Sequence, residues 1–121
     1  MDNRILVVDD AMFMRKMIRR LLEEGGYGEV LEAEDGDQAI AAFRDLSPNL
    51  VLLDITMPGP SGMEVLEKML RLKPEAKIIM CSAVGQDMMI QKALKAGAVN
   101  FIVKPFKKEE FCSVVERYLN Q

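Results

Sequence analysis

Five polar side chains stand at the ends of short apolar runs, and together they define the chemistry that this chain could perform. They are Asp9, Asp10, Asp54, Ser82 and Lys104. Three clustered carboxylates repel one another, so at least one would bind a proton unless positive charge were supplied. Lys104 supplies one positive charge, and a divalent cation would supply two more. An all-oxygen ligand set with room for water suits Mg²⁺ better than Zn²⁺.

Such a site is suited to phosphoryl transfer. An aspartate can attack phosphorus as a nucleophile and form an aspartyl phosphate. The metal ion and Lys104 would stabilise charge on the phosphoryl oxygens, and the Ser82 hydroxyl could hydrogen-bond one of them. Each of these residues could instead have an ordinary structural role. Asp10 and Ser82 could cap helices, while Asp54 could cap a turn and Lys104 could be solvated.

Five apolar runs are predicted to be the strands that position these side chains. The runs are continuous rather than alternating, which is typical of strands covered on both faces of a parallel sheet. They lie at residues 5–8, 30–31, 50–53, 78–81 and 101–103, and the second is the weakest.

Helical periodicity fills the segments between the runs, with apolar residues at i, i+3, i+4 and i+7. Gly25-Gly26 and Gly97 are predicted to end the first and fourth helices. The order is therefore β-α repeated five times, which predicts a doubly wound α/β fold with a parallel sheet and helices on both faces. The polar residues at the strand ends would meet at one edge of this sheet.

The composition of the 121-residue chain excludes several classes of function. Its length predicts a single domain, residues 1–121, and its net charge of -3 argues against direct nucleic-acid binding. The absence of histidine excludes serine–histidine triads and histidine-ligated zinc. No apolar run approaches ~18 residues and no secretion signal is present, so we expect a cytoplasmic protein without a membrane span. Cys81 and Cys112 are predicted to be reduced.

Other phosphate chemistries do not fit the sequence. The glycine-rich patterns G-x-x-x-x-G-K-[ST] and G-x-G-x-x-G are absent. A flavin phosphate would be repelled by Asp9-Asp10. Phosphatases of the haloacid dehalogenase type carry D-x-D-x-T after the first strand, whereas residues 9–13 read DDAMF here.

Several motifs occur in a fixed order along the chain. They are Val7-Val8-Asp9-Asp10, Asp54-Ile55-Thr56-Met57-Pro58 with Gly62, Ser82-Ala83, Ala96-Gly97-Ala98, and Phe101-Ile102-Val103-Lys104-Pro105-Phe106. Through them the sequence resembles, over essentially its whole length, the receiver domain of bacterial two-component response regulators. The resemblance implies a flavodoxin-like fold with five strands in the order 2-1-3-4-5 and five helices. Residues 11–15 and 81–86 are most similar to those of stand-alone chemotaxis members.

The resemblance also implies roles for individual residues. Asp54 would accept a phosphoryl group from a phosphohistidine on a sensor histidine kinase, such as the chemotaxis kinase CheA. Lys104 and Ser82 would contact that phosphoryl group, and the Lys104-Pro105 peptide would be cis. The Mg²⁺ ligands would be Asp9, Asp10, Asp54 and the backbone carbonyl of Thr56.

A distant response to a local change of charge requires an element with two stable arrangements. The resemblance implies that Ser82 moves toward the phosphate and that Phe101 rotates into the vacated space. Family members often have tyrosine at this last position, and phenylalanine can pack inward but cannot hydrogen-bond through a hydroxyl. The alternative is that Phe101 is an ordinary core aromatic.

Residues 88–108 contain five lysines and no acidic residue. Lys92, Lys95, Lys107 and Lys108 are predicted to lie on the face formed by the fourth helix, fifth strand and fifth helix, which binds the output partner in this family. A basic face with apolar neighbours suits an acidic peptide such as one from the flagellar switch protein FliM. The alternative is that these lysines are solvated and complement helix dipoles.

The expected function is a signalling switch that catalyses its own phosphorylation and dephosphorylation, in chemotaxis and flagellar rotation. One alternative is a phosphorelay intermediate, or the receiver part of a larger DNA-binding regulator. A more remote alternative is a phosphohydrolase of small molecules. The unphosphorylated protein is expected to be a monomer, and a separate phosphatase is a further possible partner. The lifetime of the phosphate would depend on Thr56 and Val84, beside the attacking water.

Overall fold

The computed structural model describes residues 3–57, 61–83 and 85–119, in which strands and helices alternate. The strands are β1 (Arg4–Val8), β2 (Glu29–Ala33), β3 (Leu50–Asp54), β4 (Ile78–Ala83) and β5 (Asn100–Lys104). The helices are α1 (Met12–Gly25), α2 (Gly36–Leu46), α3 (Gly62–Leu72), α4 (Asp87–Ala96) and α5 (Lys108–Leu119). The five β-α units that the apolar pattern predicts are confirmed.

The five strands form one parallel sheet in the order β2-β1-β3-β4-β5. The doubly wound, flavodoxin-like fold is therefore confirmed. Parallel strands bring their carboxyl ends to one edge of the sheet. The register pairs Asp54 with Cys81, and Ala83 with Lys104. The polar residues at the ends of β3, β4 and β5 are thus placed side by side.

Two hydrophobic layers enclose the sheet. Neighbouring residues of a strand point to opposite faces, so Leu53 packs in one layer and Leu52 in the other. The layer with Leu53 contains buried side chains of α2, α3 and α4, and the layer with Leu52 contains those of α1 and α5. Because β3 is buried along its whole length, its terminal Asp54 has a firmly held backbone.

The edge strand β5 departs from the predicted pattern. The continuous run 101–103 predicts cover on both faces, but the Phe101 and Val103 side chains are 38% and 36% exposed. The prediction is wrong here because α4 packs mainly on α3 and β4, which leaves one face of β5 open. Only Ile102, on the opposite face, is buried in this strand.

The ends of α1 and α4 test the sequence predictions about helix caps. Gly26 adopts a left-handed conformation (φ 69°) and ends α1, and Gly97 ends α4, as predicted. The residues at the N-terminal caps of α1 and α4 are Ala11 and Gln86, and neither cap has a side-chain hydrogen bond. The interpretation of Asp10 and Ser82 as helix caps is therefore wrong.

Two further predictions concern membranes and thiols. Within residues 3–57, 61–83 and 85–119, the helices are all too short or too polar to cross a membrane. Cys81 and Cys112 are both free thiols, as predicted. Burial raises the pKa of the Cys81 thiol to about 12, so this group is not a ready nucleophile near neutral pH.

Candidate functional site

The predicted site residues converge at the carboxyl edge of the sheet. Asp9 directly follows β1, Asp54 ends β3, Ser82 lies near the end of β4 and Lys104 ends β5. One carboxylate oxygen from each of Asp9, Asp10 and Asp54 lies within 4.8 Å of the others. The sequence prediction that these carboxylates share one pocket is therefore confirmed by the geometry.

Asp9 is buried and held from several directions. Its N–H donates to the Ala33 carbonyl of β2 at 3.1 Å. Its Oδ1 accepts a hydrogen bond from the Ala11 N–H at 2.9 Å, and its Oδ2 accepts one from Lys104 Nζ at 2.9 Å. Both oxygens of this carboxylate are therefore fixed before any ligand arrives.

Lys104 links two of the carboxylates. Its ammonium lies 2.9 Å from Asp9 Oδ2 and 3.6 Å from Asp54 Oδ1. Burial alone would lower the pKa of Lys104. The hydrogen bond to Asp9 and the negative charge of Asp54 outweigh burial and raise the pKa above its ordinary value. Lys104 is consequently a permanent positive charge in the pocket at neutral pH.

Asp54 is buried and carries a carboxyl group with an altered pKa. Its Oδ1 accepts a hydrogen bond from the Thr56 N–H at 3.1 Å. Burial raises the pKa of Asp54, and the charges of Asp9 and Asp10 act in the same direction. Lys104 and the Thr56 N–H oppose this shift without cancelling it. The pocket thus has more negative charge than its one ammonium balances, which fits a hard divalent cation bound by oxygen ligands.

The Ser82 hydroxyl is also buried at this edge, with no exposed surface. Among the residues that the structure describes, its Oγ has no hydrogen-bond partner. A buried hydroxyl without a partner is unfavourable, so this group is available to a ligand that offers an acceptor oxygen.

Gly62 has a steric role beside Asp54. A Cβ at this position would collide with the Asp54 carbonyl oxygen and with the backbone of Ile55. Glycine therefore allows α3 to begin directly against the end of β3. This contact explains why a glycine belongs to the motif that starts at Asp54.

The remaining predictions about individual site residues have different outcomes. Thr56 is exposed, and the role of its carbonyl as a metal ligand stays a prediction. Pro58 of the Asp54 motif and Val84 lie outside the described residues. The Lys104-Pro105 peptide bond is cis, as the resemblance implies. Phe101 is too exposed for an ordinary core aromatic, so that alternative is wrong.

The predicted output face is only partly as expected. Lys92, Lys95 and Lys107 are exposed. The prediction that Lys108 lies on this face is wrong. Its Nζ lies 3.1 Å from Glu24 of α1, so the residue faces away from α4. Sequence reasoning also missed two acidic side chains beside β5. The groove there, of about 540 Å³, is lined by Phe101, Ile102, Val103, Glu109, Glu110, Ser113 and Val114.

Sequence reasoning missed a second feature, a buried arginine in α1. Arg15 is 7% exposed and lies on the same helix face as Ile18 and Leu22. The sequence signal was present, because a charged residue at i, with apolar residues at i+3 and i+7, occupies the core-facing stripe. A charge on that stripe requires a partner.

Residues 5–116 match the family model of the response regulator receiver domain. With the fold and the acidic pocket described above, the chain belongs to this family of two-component signalling proteins. Receiver domains act as switches rather than as enzymes with an external substrate. They bind Mg²⁺ in the acidic pocket and interact with histidine kinases and output proteins.

Individual members of the family show which kinds of regulator this chain is similar to. The chemotaxis protein CheY of Bacillus subtilis (strain 168) is 46% identical over 120 residues, which cover 99% of this chain and 100% of that protein. CheY of Thermotoga maritima is 45% identical over 107 residues, which cover 88% of this chain and 89% of that protein. The crystal structure of the receiver domain of NtrX from Brucella abortus has a TM-score of 0.92 and 37% identity, covering 97% of this chain and 98% of that one. The chain is thus similar both to chemotaxis regulators and to the receiver domain of a different regulator.

Proposed function

We propose that this chain is a phosphoacceptor switch in which Asp54 receives a phosphoryl group from a phosphohistidine of a sensor kinase. The observation that carries this proposal is the pocket in which one ammonium, that of Lys104, contacts both Asp9 and Asp54. Within the described residues, both oxygens of Asp9 accept hydrogen bonds, whereas Asp54 Oδ2 accepts none. Asp54 therefore has a carboxylate oxygen that is free to attack, whereas both oxygens of Asp9 are already engaged.

The proposed transfer exchanges one bond to phosphorus for another. An Asp54 oxygen forms a bond to phosphorus while the bond to the kinase histidine nitrogen breaks, and its electron pair returns to the imidazole. Lys104 would stabilise the charge on a phosphoryl oxygen, and Ser82 would donate the hydrogen bond that its Oγ lacks in this state. In dephosphorylation, a water oxygen attacks the same phosphorus and the Asp54 carboxylate leaves.

The metal ligands would be Asp9, Asp10 and Asp54, with the backbone carbonyl of Thr56. Mg²⁺ bound there supplies positive charge that neutralises the phosphoryl oxygens. The residues of the chain supply the positioning. Asp9 is oriented by the Ala11 N–H and by Lys104, so its carboxylate does not have to be ordered when the cation binds.

The proposed readout passes from β4 to β5. Ser82 pairs with Val103, and Met80 pairs with Phe101, so the hydroxyl and the exposed ring lie on neighbouring strands. If Ser82 moves toward a phosphoryl group, the Phe101 ring can rotate into the space that it leaves. Because phenylalanine has no hydroxyl, the signal in this chain would be a change in exposed apolar surface.

We place the switch in chemotaxis, with a CheA-like histidine kinase as donor and a FliM-like flagellar switch protein as output partner. The two relatives named CheY support this circuit. The exposed Lys92, Lys95 and Lys107 suit an acidic peptide, and the exposed Met88 and Phe101 suit its apolar anchors. The similarity to the NtrX receiver domain supports the alternative of a phosphorelay or a larger regulator.

The intact mass of the protein after incubation with acetyl phosphate tests the proposed chemistry. We expect a single phosphoryl adduct that requires Mg²⁺ and is absent from Asp54→Asn. A folded wild-type protein that forms no adduct and does not bind beryllofluoride with Mg²⁺ would contradict the proposal. Binding of beryllofluoride without a detectable adduct would instead show a short-lived phosphate.

The proposed circuit has its own test. An acidic peptide from a flagellar switch protein should bind more tightly when beryllofluoride and Mg²⁺ are present. Equal binding in both states, with normal phosphorylation, would favour the phosphorelay alternative.

A further inference from the structure

The buried Arg15 of α1 has no part in the phosphoryl chemistry described above, yet it contacts the site. Its Nη1 donates a hydrogen bond of 2.7 Å to the backbone carbonyl of Asp9, and this bond is buried. Strand β1 ends at Val8, so this carbonyl lies just beyond the strand. The guanidinium takes the place that a neighbouring strand would otherwise fill.

The carbonyl that Arg15 binds belongs to the peptide group that joins Asp9 to Asp10. A peptide group is planar and rotates as a unit. Its orientation is described by the ψ torsion of Asp9 and the φ torsion of Asp10, so a bond that holds the plane restrains the backbone from which the two side chains on either side of it project. These two side chains are carboxylates of the acidic cluster. A bond that holds this one peptide plane thus acts on two proposed metal ligands at once.

The guanidinium is itself held in place from β2. Arg15 Nε donates to Glu32 Oε1 at 3.0 Å, and Glu32 also accepts a 2.8 Å hydrogen bond from Arg19 Nε. The hydrogen bonds from Arg19 and Arg15 lower the pKa of Glu32 against the opposing effect of its burial. Glu32 is therefore ionised at neutral pH. The planar guanidinium of arginine has several N–H donors in a fixed arrangement and can bind a carboxylate and a carbonyl together. The ammonium of a lysine has no such fixed geometry.

We propose that Arg15 is a positioning residue for the divalent cation site, which it serves by fixing the Asp9–Asp10 peptide plane from outside the ligand shell. This inference rests on the proposed Mg²⁺ site. Partners that orient metal ligands without touching the metal typically change metal affinity by about 10–100-fold when removed. We therefore expect Arg15→Met to weaken Mg²⁺ binding by about 10-fold or more.

Arg19→Met is the matched control. Arg19 lies one helical turn further along α1 and also binds Glu32, but its backbone contact is the Val30 carbonyl at 3.2 Å. Both substitutions remove one arginine from the same ion-pair network, and only one of them releases the Asp9 carbonyl. A purely structural role would make the two variants lose thermal stability without changing the affinity for Mg²⁺.

The experiment is a calorimetric titration of Mg²⁺ alone into wild type, Arg15→Met, Arg15→Lys and Arg19→Met, with circular dichroism to confirm folding. We expect weaker binding in Arg15→Met, an intermediate value in Arg15→Lys and wild-type affinity in Arg19→Met. If Arg15→Met does not fold, Arg15→Lys against Arg19→Met decides the question. Equal Mg²⁺ affinities in the folded variants and wild type would overturn the inference while leaving the metal site intact. A wild type that does not bind Mg²⁺ would overturn the metal site itself, and the inference with it.

Discussion

At the carboxyl edge of the sheet, both oxygens of Asp9 accept hydrogen bonds and Lys104 contacts two carboxylates. On the face of β5 that α4 leaves uncovered, three residues before Lys104, the Phe101 ring is exposed. The first region is polar, buried and constrained, and the second is apolar, open and unconstrained. Ser82 lies between them, with a buried hydroxyl that lacks a partner among the described residues.

This contrast suggests a division of labour between chemistry and readout. Phosphoryl transfer benefits from charges that are already oriented, because no energy is then spent on reorganising them during the reaction. A signal requires the opposite, an element that can occupy two positions at similar cost. The pocket has the first property, and we propose that the pair of Ser82 and Phe101 has the second.

The largest expected effect comes from removing the ammonium of the pocket. Lys104→Met should slow phosphorylation by acetyl phosphate by about 100-fold or more, since loss of one group that stabilises transition-state charge commonly costs that much. The rate is measured by intact mass against time. Lys107→Met, three residues away and exposed, is the control and should keep the wild-type rate. Equal rates in the two variants would show that Lys104 does not act on the phosphoryl group.

When no metal is present, the negative charge of Asp54 in the pocket should lower the stability of the folded protein relative to a variant with a neutral group there. The pKa of Asp54 is raised by burial, so the folded state binds a proton more readily than the unfolded state. Stability therefore falls as the pH rises through the folded-state pKa. Asp54→Asn should be more stable than wild type at neutral pH in the presence of a chelator, and the difference should shrink as the pH falls into the acid range.

Urea denaturation at several pH values measures this difference. The control is Asp45→Asn, because Asp45 is exposed and, among the described residues, pairs only with Arg44 at the surface. It should change the free energy of unfolding by less than about 1 kcal/mol. A wild type that is more stable than Asp54→Asn at neutral pH would contradict the raised pKa.

Ser82→Ala separates stability from signalling. The Oγ of Ser82 is buried without a partner among the described residues, so its removal should leave the free energy of unfolding unchanged or raise it by up to about 1 kcal/mol. The same variant should lose most of the beryllofluoride-dependent gain in peptide binding. A clear loss of stability would mean that Ser82 already has a hydrogen bond in the resting state.

The smallest expected effect concerns the charges of the output face. Lys95→Glu should weaken binding of an acidic flagellar switch peptide by a few-fold, and less so at high salt, because exposed charges are screened. Phosphorylation should be unaffected. Lys108→Glu is the matched control, since Lys108 pairs with Glu24 on the side of α1. Equal losses in both variants would place the peptide elsewhere.

The sequence was sufficient for the sheet and for the composition of the pocket. The carboxyl ends of parallel strands lie at one edge, so the β-α repeat alone predicted that Asp54 and Lys104 share that edge, while the strand order came from the family resemblance. The burial of an edge strand, and the way helices pack on it, could not be predicted from the sequence. The run 101–103 reads as buried because its residues are apolar, yet α4 leaves one face of β5 uncovered.

Arg15 and Lys108 show the same limit for charged residues. The sequence prediction assigns the four lysines of residues 88–108 other than Lys104 to one face, but the direction of a side chain depends on the helix rotation, and Lys108 turns toward α1. The position of Arg15 on the core-facing stripe of α1 indicates that it needs a partner, but the partner is not identified until β2 is placed beside α1. Its partner Glu32 is 17 residues away in sequence, and local patterns do not identify such pairs.

The proposed switch depends above all on Asp54, rather than Asp9 or Asp10, accepting the phosphoryl group. The most direct measurement is reduction of the acetyl-phosphate-treated protein with borohydride, which converts an aspartyl phosphate to homoserine, followed by peptide sequencing in a mass spectrometer. We predict homoserine at position 54 and unmodified aspartate at positions 9 and 10. Homoserine at position 9 or 10 in a folded protein would contradict this prediction.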